Sequence, residues 1–289
     1  MAPIVLVHGI FNHVRGATPE AAALRRAADC RPKLAEGLAR LSVEVPELVM
    51  AYYADLLWRE LPEQAQSART EADFEDLNGG QRAEAAEWLI AAGAPVPEDP
   101  QNVGLAPLRQ MLGWLVAERA DRLGAAAREQ LIGRLERTVV TNLREVEAYT
   151  SWPDRRRLVR ERVAGVIRRE APSVVIAHSL GSYITYETLH AYPELEVELL
   201  VTVGSPLRVP ALARRLDPAL RAGRGVRPAG VKQWVNFADV GDVVAVPPKL
   251  EEVFLVDQDE VCDNGLGFHG FGGYLANGFL AAAIAPYIS

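Results

Sequence analysis

Cysteine, positive charge and long apolar runs are all in short supply here, and each shortage excludes something. Two cysteines, Cys30 and Cys262, in 289 residues cannot form a disulfide framework, so the small secreted scaffolds that depend on one are excluded. Both read as small buried fillers. Lys and Arg number 31 against 38 Asp and Glu, a net charge of −7, so a nucleic-acid partner is not expected. The local cluster Arg155-Arg-Arg157 reads as the solvated start of a helix. No apolar stretch approaches the roughly 20 residues of a membrane span, so no integral membrane segment is expected. The tail from Tyr274 to Ile288 reads instead as a terminal helix packed on a sheet. The apolar run near the N-terminus lacks a basic leader and is already a strand, so the expected compartment is the cytoplasm.

Metal and cofactor signals are equally thin. His8-Gly-Ile-Phe-Asn-His13 has two histidines but no carboxylate or thiol at ligand spacing, well short of a zinc motif. Gly265-Leu-Gly-Phe-His-Gly-Phe-Gly-Gly273 lacks a P-loop lysine and a dinucleotide fingerprint. Neither a metal nor a cofactor is therefore expected, and the glycines read as freedom for placing His269.

What is present is a globular composition, 49% hydrophobic and 24% charged, in a chain long enough for one large domain or a domain with an insertion. Outside the middle, strand and helix signals alternate, which predicts an α/β fold with a mostly parallel sheet flanked by helices. Strands are expected at 3–8, 48–53, 173–178, 197–203, 231–237 and 253–256. Helices are expected at 18–41, opened by Thr18-Pro19-Glu20, at 154–169, from the end of the third strand to about 190, at 209–222 and at 273–286. Between 58 and 150 the strand signals vanish. Leu105, Leu108, Met111, Leu112, Leu115 and Val116 recur at helical spacing, as do Leu131, Leu135, Val139, Leu143 and Val146. Residues 58–150 are therefore expected to form an all-helical insertion, a cap over a site built by 1–57 and 151–289.

The chemistry concentrates in Ser173-Val-Val-Ile-Ala-His-Ser-Leu-Gly-Ser182. This reads as a buried strand that turns sharply into a helix, with Ser179 at the apex and small residues, Ala177 and Gly181, two positions to either side. A serine so placed stands clear of the sheet above a helix N-terminus, which stabilises developing negative charge. Pro3-Ile-Val-Leu-Val-His-Gly9 is a second strand feeding a loop. Candidate acids Asp239 and Asp242 follow the apolar run at Trp234-Val-Asn-Phe237, and His269 comes later still. An unassisted serine is a weak nucleophile at neutral pH and needs a base; His269 is the candidate. His178 should point away from Ser179, His8 should brace its loop, and His190 should suit a helix C-terminus as a cation.

The order Ser, Asp, His resembles that of the lipase/esterase-type α/β-hydrolases, as do the His-Ser-Leu-Gly elbow and Gly204-Ser205-Pro206 after the next strand. The resemblance covers 1–57 and about 153–289. It implies the α/β-hydrolase fold and a serine hydrolase cleaving a carboxylic ester, with a small-molecule or lipid-like ester as substrate. Ser179 would be the nucleophile, His269 the base and Asp242 the acid, since Asp242-Val-Val-Ala-Val-Pro247 fits the family's spacing better than Asp239. Asp239 then forms a turn. The oxyanion hole would use the N–H groups of Leu180 and of Ile10 or Phe11. The same groups would serve an acyltransferase, a thioesterase or an amidase, and the fold alone would serve a non-catalytic interaction protein.

Overall fold

The structure, a computed structural model, describes residues 2–58, 73–99, 103–119, 124–265 and 268–288. Part of the expected insertion, and Leu266 and Gly267 of the Gly-rich loop, lie outside them. Six strands form one sheet: β1 (Ile4–Val7), β2 (Leu48–Ala51), β3 (Val174–His178), β4 (Val197–Val203), β5 (Val231–Asp239) and β6 (Gln258–Cys262). Their order is β2-β1-β3-β4-β5-β6, and every pairing is parallel. Parallel strands need both faces covered, which is why β1 and β3 are apolar almost throughout and fully buried.

The helices supply the cover. On one face lie α1 (Pro19–Leu38) and the terminal pair α9 (Phe271–Leu275) and α10 (Gly278–Ile288). Their Leu34, Leu275 and Ile284 join Ile4, Leu6, Ile176 and Val201 in one buried cluster. On the other face, α6 (Pro153–Glu170) and α7 (Leu180–Ala191) pack on Val5, Val7, Ala177 and Leu200. The Thr18 hydroxyl caps α1 by accepting the Ala21 N–H, as its sequence predicts.

The middle of the chain is helical. After a short α2 (Ala54–Trp58) come α3 (Gly79–Ala91), α4 (Leu105–Arg119) and α5 (Ala125–Thr150). Trp88, Leu112 and Leu143 of these helices belong to the same buried cluster as the sheet face under α6 and α7. Their apolar side chains thus share a core with the sheet. The Trp88 indole reaches furthest, donating to the Val243 carbonyl at 2.6 Å.

Three expected elements differ. The helix predicted at 209–222 survives only as α8 (Pro210–Ala213); Pro218 cannot continue it, and the Asp217 N–H goes to Glu187 Oε1 instead. The last strand is β6, not 253–256. Phe254 is apolar because its ring fills the core against Tyr186 and Trp234. True β6 is polar because it is an edge strand, with a single strand partner, β5. The closing helix is broken at Asn277, whose side chain accepts the Phe279 N–H and so starts α10 afresh.

The chain runs from β1 outward to β2, then returns to lay β3 on the other side of β1. Connections therefore leave β1 and β3 in opposite directions, opening a crevice at their carboxyl ends, where open α/β sheets bind ligands. His8 to Asn12 follow β1 and Ser179 follows β3. Both predicted segments meet at that crevice.

Candidate functional site

Ser179 ends β3 and precedes α7 with φ 53° and ψ −129°, a backbone that L-residues rarely adopt. Its N–H is held by the Val203 carbonyl at 3.0 Å. The turn is tight enough that a Cβ at Gly181 would lie 2.4 Å from the His8 carbonyl oxygen and 2.5 Å from that of Val7. Glycine at 181 is thus a steric requirement of the β1–α7 approach.

The structure brings Ser179, His269 and Asp242 into one line. His269 Nε2 is 2.9 Å from Ser179 Oγ, and His269 Nδ1 is 2.8 Å from Asp242 Oδ2. An ionised carboxylate only accepts, so the proton between them sits on Nδ1 and leaves Nε2 free to accept from the serine hydroxyl. Asp242 is buried, which by itself would raise its carboxyl pKa. The facing His269, the Val244 N–H and the Tyr274 hydroxyl outweigh that and hold it below the usual carboxylate value. Tyr274 donates to Asp242 Oδ2 at 2.8 Å and accepts the Asp239 N–H at 2.8 Å.

Asp239 does different work. Its Oδ1 accepts the Gly241 N–H at 2.7 Å and its Oδ2 the Asn264 N–H; burial raises its pKa. It closes the turn that delivers Asp242 and does not touch His269.

Two other histidines brace the line without joining it. His178 stacks on Phe271, centroids 4.8 Å apart, and its Nε2 is 2.8 Å from the His269 carbonyl oxygen. Burial lowers its pKa to about 3, so the ring is neutral and donates through Nε2. His8 stacks on Tyr53 at 4.1 Å. Its Nδ1 donates to the Gly9 carbonyl at 2.8 Å and its Nε2 accepts the Tyr53 N–H at 3.2 Å; burial lowers its pKa to about 4. His190 lies in the last turn of α7, as expected. Burial lowers its pKa, and its ring bonds the Val226 carbonyl at 3.2 Å.

The predicted oxyanion donors lie in the segment after β1 and at the first residue of α7. Among the described residues, no loop, cap or side-chain acceptor takes the N–H of Ile10, Phe11 or Leu180. Phe11 has φ 61°, and the Asn12 amide donates to the carbonyls of Gly9 at 3.1 Å and Ile10 at 2.8 Å. With its carbonyls tied back in this way, the loop leaves its N–H groups unclaimed.

Sequence reasoning missed Tyr274, Asn12 and Trp88, and it named Gly204 only as part of its Gly-Ser-Pro motif. Gly204 has φ 58°, and a Cβ there would come 3.0 Å from Asp242 Oδ2 and 3.2 Å from His269 Nδ1. The Gly-Ser-Pro motif therefore makes room for the acid–imidazole contact. Its Ser205 is buried and accepts from the Ser182 hydroxyl at 2.8 Å, remote from any opening. The motif itself was the signal for Gly204; the other three act through contacts that no local pattern encodes.

Beside the line lies a cavity of about 410 Å³, lined by Ile10, Phe11, Met50, His269 and Phe271 and by Thr138 of α5. Ser179 has no exposed surface and lies beneath these walls. Cys30 lines the same cavity; burial raises its thiol pKa to about 11 and that of Cys262 to about 12, so neither is a ready thiolate. Among the described residues, no group of three or more His, Cys, Asp or Glu is placed to hold a metal ion, and no helix is long and apolar enough to cross a membrane.

Comparison of the chain with protein-family models, with curated proteins and with solved structures found no match. What the site can do is therefore argued from its own geometry. A hydroxyl, an imidazole and a buried carboxylate share one hydrogen-bonded line next to a half-enclosed cavity.

Proposed function

We propose that this protein is a serine hydrolase of the α/β-hydrolase type that cleaves a carboxylic ester through an acyl-enzyme on Ser179. The Ser179–His269–Asp242 line carries the reading. A serine at an outlying φ, bonded to a histidine whose far nitrogen meets a buried carboxylate, has the arrangement that nucleophilic acyl transfer requires.

In this reading His269 Nε2 takes the Ser179 proton as Oγ bonds to the ester carbonyl carbon. The carbonyl π electrons move onto oxygen, where the N–H groups of Leu180 and of Ile10 or Phe11 stabilise the charge. Collapse breaks the bond to the alcohol oxygen, which leaves with the proton from His269. Water then repeats the sequence on the acyl-enzyme, giving up a proton to His269, and the acid departs as that proton returns to Ser179. Asp242 fixes the Nδ1–H tautomer and stabilises the imidazolium in both halves. Gly204 keeps this contact unobstructed.

The cavity bears on the substrate. At about 410 Å³ it lies near the small end of ligand pockets, which span about 300–1,000 Å³. That supports a short or medium acyl group over the long chains of storage lipids. Thr138 of α5 among the lining residues supports a cap role for the helical middle of the chain. The test is turnover of p-nitrophenyl esters from two to sixteen carbons. Wild type should favour the short end, and Ser179→Ala should lose about 10⁴–10⁶ in kcat. Equal turnover by the variant, or none by wild type at any length, removes the hydrolase reading in favour of a binding role.

A further inference from the structure

One charged side chain in the cavity has no task in the chemistry above. Arg26 projects from α1 into the same space as His269, Ile10 and Phe271. Its guanidinium offers five N–H donors and satisfies few of them. Nε is buried with no hydrogen-bond partner. Nη2 meets the Asn12 carbonyl only at 3.5 Å, the outer limit for such a bond. Nη1 lies 3.6 Å from Asp29, whose side chain is 57% exposed, so solvent screens most of that attraction. Other arginines here are held far more closely: Arg160 meets Glu187 at 2.6 Å and Arg168 meets Glu194 at 2.7 Å.

Resting on the serine-hydrolase reading, we propose that Arg26 anchors a carboxylate carried by the acyl half of the substrate, so that the site takes half-esters of short dicarboxylic acids. A guanidinium with open donors beside an apolar wall suits a planar carboxylate, which can accept two parallel N–H bonds. A purely aliphatic chain would take water from Nη1 and Nη2, whose partners stand at 3.6 and 3.5 Å, and return no acceptor, an arrangement that costs stability in any complex. The side of attachment follows from position. The leaving alcohol must face His269 Nε2, which protonates it. Arg26 reaches the cavity from α1, beside the Asn12 carbonyl of the loop that carries Ile10 and Phe11. The anionic group therefore belongs to the acyl chain, several bonds from the carbonyl. Arg26 is a specificity residue in this account, and Asp29 the weak occupant that the substrate carboxylate displaces.

The test compares p-nitrophenyl hydrogen adipate with p-nitrophenyl hexanoate, six-carbon acyl groups that differ in a terminal carboxylate. Wild type should prefer the adipate at least tenfold in kcat/KM after subtraction of spontaneous hydrolysis. Arg26→Met should cut the adipate-to-hexanoate ratio by about ten- to a hundredfold; a ratio is unaffected by a partly folded sample. Equal use of the two esters by wild type, or an undiminished ratio in Arg26→Met, overturns the assignment. If wild type turns over neither ester, the hydrolase reading has failed. Calorimetric titration with monomethyl adipate then decides the anion site alone. Binding by wild type that Arg26→Met loses sustains it, and absence of binding by wild type ends it.

Discussion

Asp242 and Glu187 are both buried, at 1% and 0% exposure, yet their surroundings differ in kind. Glu187, on the second half of α7, is wrapped by permanent cations. Arg156 grips it, Arg160 Nη2 sits at 2.6 Å, the Tyr149 hydroxyl donates at 2.6 Å and the Asp217 N–H at 2.9 Å. These partners come from α5, α6 and the segment after α8, so one carboxylate ties the helical middle of the chain to the sheet-bearing part. Asp242 meets no arginine or lysine: its partners are the Val244 and Ala245 N–H groups, the Tyr274 hydroxyl and the His269 ring. The one partner able to take up a positive charge is that imidazole. A cation formed on His269 would cancel the carboxylate charge, which is what the proposed mechanism asks of it at the moment of attack. A buried charge neutralised in advance holds structure; one left open to a neighbouring base is available for chemistry.

That contrast breaks most visibly on the two conservative substitutions. Asp242→Asn should lower kcat for ester turnover by about 10⁴, through the wrong imidazole tautomer, while urea unfolding shifts little. Glu187→Gln should do the reverse. It leaves Arg156 with no carboxylate and Arg160 with only Asp217, so stability should fall by about 3 kcal/mol, while kcat per folded molecule stays within a few-fold. If Glu187→Gln abolished turnover in protein shown to be folded, the two carboxylates would not be separable.

Acid should affect the two regions unequally, because His8 and His178 lie beside the site, whereas Glu187 is held by Arg156, Arg160, Tyr149 and the Asp217 N–H. The folded pKa values of His8 and His178 are depressed from 6.5 to about 4 and about 3. Between those values and 6.5 the unfolded chain binds more protons, so stability is complete above about 6.5 and falls as pH falls through that window. Each histidine contributes a slope of about 1.4 kcal/mol per pH unit. Urea midpoints at pH 7, 6 and 5 should show this, and His178→Gln should roughly halve the slope. A flat profile across this range would contradict the neutral, buried assignment.

A finer cut concerns Tyr274. Tyr274→Phe removes one donor from Asp242 and one acceptor from the Asp239 N–H, and should lower kcat by about tenfold with KM little changed. A loss confined to thermal stability would make Tyr274 a packing residue only.

The parts legible in the sequence are those where a few adjacent residues carry the constraint. The elbow at Ser179 needs small neighbours on both sides, and the thick apolar runs of β1 and β3 announce burial on two faces. The preference for Asp242 over Asp239 rests on the resemblance, through the family's spacing to Pro247. Where a residue is explained by something far off in the chain, the reading failed. Phe254 looked like strand because it is apolar, though its ring serves a core cluster, and polar Gln258–Cys262 hid an edge strand. Arg155 and Arg156 looked solvated. Instead Arg155 is buried and donates to the Ala148 carbonyl at 2.7 Å, and Arg156 turns inward to Glu187; only Arg157 sits on the surface, paired with Glu161. The Trp88–Val243 bond, 155 positions apart, has no local signature at all.

The most direct measurement is covalent labelling by a fluorophosphonate, followed by mass mapping of the modified peptide. Labelling should reach one adduct per molecule, located on Ser179, absent in Ser179→Ala and strongly slowed in His269→Ala. Wild type that stays unlabelled, or Ser179→Ala labelled as fully as wild type, would contradict the claim that this serine is an activated nucleophile.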